Sequence, residues 1–161
     1  MNTPLTLELV GDTQLVVTRK FAARPELVYR AHTDCDIIPR WMTGPDGVTM
    51  PVCQCDARPG GSIRYEWAHP DGWGFYLTGE FIELEPFSRI VHVERMFLPD
   101  QTPDNHIVST FEPDGTGGTV MTMTMSVPDA ATREAMLASG MADGMEKSYV
   151  RLEEMMSIPV V

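Results

Sequence analysis

The chain has 161 residues and a formal net charge of −11, with twelve basic residues. No Lys/Arg cluster exceeds Arg19-Lys20, which argues against a phosphate-backbone partner, since nucleic-acid binders need a basic stripe. The same charge is repelled by an anionic membrane surface, and no run approaches the roughly 20 apolar residues of a membrane span.

The N-terminus lacks the basic and long apolar regions of a signal peptide. Cys35, Cys53 and Cys55 are odd in number and too few for a disulfide framework. These features read as a single domain over residues 1–161, in a reducing cytoplasm, with buried and inert thiols. Cys53-x-Cys55 lacks the spacing and further ligands of a zinc site, so no metal is expected.

Taken in order, residues 5–10 are a short extra strand or an arm (within 1–11), and residues 12–21 are the first main strand. Pro25 opens a short helix, where its missing N–H costs nothing, with Leu27, Val28 and Ala31 on its apolar side. Thr33 or Asp34 can cap a second short helix that turns Ile37, Ile38 and Trp41 inward. Pro39 keeps that helix short, and Gly44-Pro45-Asp46-Gly47 ends it.

From Val48 the period becomes two. The first of these strands carries Pro51, which suits a sheet edge. After the turn Arg58-Pro59-Gly60-Gly61, Ile63, Tyr65 and Trp67 share one face. His69-Pro70-Asp71-Gly72 leads into residues 73–84, with Trp73, Phe75, Leu77, Gly79 and Phe81 on one side. Strands over 89–97 and 106–112 follow. Pro113 to Gly118 then turns the chain into residues 119–127, where Met121, Met123 and Met125 alternate with Thr122 and Thr124.

The last element reads as one helix from an Asp129 N-cap toward Ser157, stopped by Pro159. Its inward stripe is Leu137, Met141, Met145, Ser148, Leu152 and Met155. Gly140 and Gly144 lie one turn apart near that stripe, allowing close approach of the sheet or room for something bound. Eight of the twelve methionines fall on the 119–127 strand and this helix. Met is unbranched and polarizable and tolerates guests of different shape. Six hairpin-connected strands cannot form a parallel sheet, because each crossover needs a dozen or more residues. The fold class is therefore α+β, a curved antiparallel sheet covered by a long C-terminal helix, with ligand space between the layers.

Candidate chemistry is sparse. There is no Gly-x-Ser-x-Gly elbow, no His pair at zinc-helix spacing, and no strand-to-helix glycine loop for phosphate. No cofactor is expected. His92 and Glu94 are the one polar pair of interest. If Ile90 and Met96 face the interior, both ionizable groups do too, and a carboxylate there must pair, bind a ligand group or take up a proton. If Val91, Val93 and Arg95 face in, His92 and Glu94 lie in solvent, and periodicity leaves this open with a slight preference for solvent.

Three segments carry a family resemblance: Pro39-Arg40-Trp41-Met42-x-Gly44-Pro45, Asp56-Ala57-Arg58-Pro59-Gly60-Gly61, and Gly79-Glu80-Phe81-Ile82-Glu83-Leu84-Glu85-Pro86-x-x-Arg89-Ile90-Val91. Over about Val16 to Met156 the chain resembles the Hsp90-ATPase-activator homologue family, of the START-like (SRPBCC) superfamily. The resemblance implies a helix-grip fold with a sheet of about seven strands, and a cavity for lipids or other hydrophobic small molecules.

The leading expectation is a hydrophobic small-molecule binder, leaning against enzymatic activity. Its cavity would be lined by Trp41, Tyr65, Trp67, Phe75, Leu77, Met121, Met123, Met125, Met141, Gly144 and Met145. The alternatives are an interaction module acting on a chaperone, and a cyclase- or hydratase-like enzyme using His92 and Glu94 as catalytic groups. A homodimer is left open.

Overall fold

The computed structural model describes residues 3–156. The strands are β1 Thr6–Val10, β2 Gln14–Phe21, β3 Thr49–Cys55, β4 Ser62–Ala68, β5 Gly74–Glu85, β6 Arg89–Phe97, β7 Asn105–Pro113 and β8 Thr119–Ser126. The helices are α1 Pro25–Ala31, α2 Ala130–Ala138 and α3 Met141–Met156, with a 3-10 turn at Ile38–Arg40. All strands join one antiparallel sheet in the order β1-β2-β8-β7-β6-β5-β4-β3. The order closes β2 onto β8 because one chain segment, holding α1 and the 3-10 turn, crosses from the first hairpin to the opposite edge. Pro51 lies on β3, which is an edge strand, where a missing N–H breaks no interior ladder. A register shift between Phe81 and Glu83 bends β5 and leaves Ile82 exposed.

The alternation in β8 has the expected phase. Met121 and Met125 are buried and Met123 is half-buried against both core clusters. The inward rows continue through Ile63, Tyr65 and Trp67 of β4, Leu77 and Phe81 of β5, and Ile107 and Phe111 of β7. A one-residue slip in any of these strands would put its apolar row in water, so the register is strongly specified.

Several expectations need correction. The C-terminal segment is two helices, because Ser139 caps α2 and Gly140 adopts φ +79°, a left-handed conformation that suits glycine after a helix. Asp129 does cap α2, accepting from the Thr132 N–H at 2.8 Å. The predicted helix end at Ser157 lies outside the described residues. Of the two readings of residues 5–10 the extra strand holds, since Thr6–Val10 pairs fully with β2 and gives the sheet eight strands. The second short helix shrinks to a single 3-10 turn. Leu27 is exposed, and Tyr29 takes its place in the core. Trp73 precedes β5, is 47% exposed and stacks on His69.

The cysteines depart furthest from expectation. Cys35 and Cys53 form a disulfide with Cα atoms 5.7 Å apart, a normal span for such a bond. It ties the loop after α1 to β3. Cys55 is the free thiol and donates to the Thr33 carbonyl at 3.4 Å. Spacing along the chain carries no sign of this pairing, and the argument from three free thiols to a reducing compartment loses its premise.

A buried ion cluster fixes α3 to the sheet. Arg19 shares the inward face of β2 with Leu15, Val17 and Phe21, and its side chain is fully buried. Its Nε–H donates to Glu146 Oε1 at 3.0 Å and its Nη2 to Oε2 at 3.2 Å, while Nη1 meets Glu153 Oε1 at 3.5 Å. Both carboxylates also cap backbone: the Leu5 N–H donates to Glu146 and the Ala22 N–H to Glu153. The helix is thereby held over the sheet by side chains, while its backbone approaches the strands closely at few points.

Candidate functional site

Apart from Gly144, the predicted lining residues fall in two apolar clusters and in two degrees of closure. Trp41, Tyr65, Trp67, Leu77, Met121 and Met125 are buried core. Phe75, Met123, Met141, Gly144 and Met145 keep partial exposure. Met123 and Met145 pack against both apolar clusters, so they sit where the two meet. A Cβ placed on Gly144 would meet nothing within 4 Å, so open space lies beside this turn of α3. Trp41 stacks on Tyr149 of α3 with centroids 5.8 Å apart, and its indole N–H donates to the Ala31 carbonyl at 3.0 Å. The Trp67 indole N–H donates to the Met42 carbonyl at 2.8 Å, and its ring stacks on Phe75. Both indole donors are thus satisfied, as burial requires.

His92 and Glu94 face this interior, which corrects the slight preference for solvent. Ile90 on the same parity is buried, while Arg95 on the other face is held by Glu80 and Asp104. The His92 ring lies 6.3 Å from that of buried Phe81. Glu94 raises the phenol pKa of Tyr65 on β4 and of Tyr149 on α3, behind the larger effect of burial on both. Glu94 therefore lies between the layers. His92 Nε2 and Glu94 Oε1 are 2.8 Å apart, and the side chains are 16% and 22% exposed. These residues sit on β6, well inside the sheet, so solvent reaches the middle of the concave face beneath the helix. Across from Glu94 stands Gly79, where a Cβ would fall 2.4 Å from the Val93 carbonyl oxygen and 3.3 Å from Glu94 Cα. The glycine of the third segment is therefore a steric necessity at the floor of the site.

Chemically, an imidazole whose Nε2–H is given to a carboxylate keeps a lone pair on Nδ1. His92 Nδ1 is buried with no partner among the described residues. The pair can orient a polar ligand group or hold a proton.

Sequence reasoning missed His32, Tyr149, Asn105 and the Arg19 cluster. His32 Nδ1 lies 2.7 Å from the Val28 carbonyl and so carries the proton, leaving Nε2 as a buried acceptor without a partner among the described residues. Burial first, and the nearby His92 in smaller measure, lower its pKa to about 4 against a hydrogen bond to Val28 that raises it. A histidine with a depressed folded pKa binds fewer protons than the unfolded chain between pH 4 and 6.5. Its neutral form therefore supports the fold above pH 6.5, and that contribution is lost as pH falls. We expect urea unfolding to show wild-type stability falling faster than that of His32→Gln over this window, by up to about 3 kcal/mol near pH 4. Parallel pH dependences would contradict it.

On the outer side of α3 a depression of about 370 Å³ is bounded by Asp46, Glu146, Lys147, Val150, Arg151 and Glu154. None of the predicted lining residues borders it. Among the described residues no group of three or more His, Cys, Asp or Glu is placed to hold a metal ion. No described helix is long and apolar enough to cross a membrane.

A curved open antiparallel sheet gripping a long C-terminal helix defines the START-like, helix-grip class. The chain belongs to the family described as activator of Hsp90 ATPase homolog 1-like protein, whose model matches residues 22–157. Among solved structures, a protein from Rhodobacter sphaeroides is 31% identical with a TM-score of 0.88, over 95% of this chain and 97% of that one. A Mycobacterium smegmatis protein is 22% identical with a TM-score of 0.84, over 98% and 100% of the two chains. One from Arthrobacter aurescens is 19% identical with a TM-score of 0.83, over 98% and 94%. The last two likenesses concern the fold alone. No curated protein matches the chain.

Proposed function

We propose that this protein binds a hydrophobic or amphipathic small molecule between the concave face of the sheet and α3. The observation that supports it most is the partial solvent exposure of His92 and Glu94, residues well inside the sheet that a helix covers. Against the two apolar clusters Phe75, Met123, Met141 and Met145 are half-buried, flexible or aromatic, and open space lies beside Gly144. Apolar guests gain about 25 cal/mol per Å² removed from water before the costs of binding, and Met side chains repack around different shapes.

The test is a titration with the uncharged fluorescent dye N-phenylnaphthylamine, with a melting curve at saturation. Binding at a hundred times Kd stabilises the folded state by about 2.7 kcal/mol, which raises Tm by several degrees. Gly144→Leu should weaken the dye by about tenfold or more, because a branched side chain enters the space beside α3. Its stability should hold or rise, since Leu exceeds Gly in helix propensity by about 1 kcal/mol. Failure of the wild type to bind, or equal binding by the Leu variant, would remove the support for this reading.

A further inference from the structure

The character of the polar floor narrows what such a guest carries. Of the four buried side-chain atoms without a partner among the described residues, one is Arg133 Nε on α2 and the other three are His32 Nε2, His92 Nδ1 and Asn105 Oδ1. These three belong to one neighbourhood: Asn105 stands opposite Glu94 in the β6–β7 register, on the inward parity of Ile107 and Ser109, and His92 acts electrostatically on His32. With both imidazoles neutral, each of the three is an acceptor. His32 has given its Nδ1–H to Val28, His92 gives its Nε2–H to Glu94, and an amide oxygen only accepts. In front of them Glu94 is the more exposed member of the pair, and its carboxylate has no Lys or Arg partner in the ion pairs of the described residues. Arg19, the buried cation of the same sheet face, is saturated by Glu146 and Glu153.

Aromatic faces complete the surroundings. Tyr65 and Tyr149 both feel the Glu94 charge, and Trp41 stacks on Tyr149. A floor of acceptors with one carboxylate and aromatic walls repels a carboxylate or phosphate and attracts a donor-rich cation. We infer that the site takes a hydrophobic amine, its protonated nitrogen on Glu94 and its apolar body along Met123 and Met145. This rests on the interior-binding reading above and names the ligand class for that site. The net charge of −11 adds a general attraction for cations at long range, so the test must separate the specific contact from it.

Three probes of one shape do so: naphthylmethylamine, naphthylmethanol and naphthoate, titrated calorimetrically into the full chain. The amine should bind about tenfold or more tighter than the alcohol, and naphthoate weakest, as expected for a charge-assisted hydrogen bond. Glu94→Gln should bring the amine down to the affinity of the alcohol, and a cooperative melt of the unliganded variant shows the fold intact. Glu8→Gln, removing one charge from exposed β1, should leave the amine preference in place. An amine no tighter than the alcohol, or a preference that survives Glu94→Gln, overturns the assignment. If that happens while N-phenylnaphthylamine still binds, the interior-binding reading stands without it; if no probe binds, both fall.

Discussion

Replacing Arg19 with Met should destabilise the protein by about 3 kcal/mol or more, measured by urea unfolding at neutral pH. The guanidinium is fully buried, and it faces two carboxylates that are themselves mostly shielded, at 23% and 11% side-chain exposure. Removing the cation leaves both anions in a low-dielectric interior, held among the described residues by the backbone N–H groups of Leu5 and Ala22. The residual exposure of Glu146 places the expected cost toward the lower end for a broken buried pair. A triple variant with Glu146→Gln and Glu153→Gln should recover most of the loss, because the cost lies in uncompensated charge more than in lost attraction. Equal instability of the single and triple variants would show that Arg19 acts mainly through packing.

Trp41→Ala should cost about 3–5 kcal/mol, the range for deleting a large buried aromatic. Trp41 is 1% exposed, stacks on Tyr149, lies 4.9 Å from the His32 ring and supplies the hydrogen bond to the Ala31 carbonyl. The loop after α1 has no regular structure beyond one 3-10 turn, so this side chain fastens it to α3. Net stabilities of about 5–15 kcal/mol make such a loss a large share of the total. Trp41→Phe should lose less, about 1–2 kcal/mol, because most of the ring contact survives while the hydrogen bond does not. Denaturant midpoints of the two variants within a few tenths of each other would argue against the anchoring role.

How far the sequence could be read depends on whether the signal was local. Met121, Met123 and Met125 alternate with threonines, so one face was apolar and the phase followed. Pro51 marked an edge and Asp129 a cap, each through a missing or satisfied backbone N–H. In β6 both parities mix apolar and polar residues. Its phase was set by pairing to β5 and β7, information absent from residues 89–97 themselves.

Gly140 and Gly144 looked equivalent because helical spacing runs through both. Only the first takes a left-handed φ, and a propensity near 1 kcal/mol cannot tell a break from a tolerated glycine. The ion cluster joins residues 127 and 134 positions apart. A signal existed even so: Arg19 shares its parity with Leu15, Val17 and Phe21, which obliges it to find buried partners. Glu146, Tyr149 and Glu153 fall on one helix face at spacings of three and four. The Cys35–Cys53 bond and the paired environment of His32 and His92 depended on the loop after α1 lying against the sheet, and nothing in those segments announces it.

The central claim is a guest between Met123 of the sheet and Met141 and Met145 of α3. Carbon-13 labelling of the methionine methyls places a reporter on each side of that space. With N-phenylnaphthylamine bound, the predicted result is cross-relaxation from the dye ring to the Met123 and Met145 methyls, with their resonances and that of Met141 shifted most. Unmoved resonances for these three, or shifts confined to methionines elsewhere such as Met50 of β3, would contradict it.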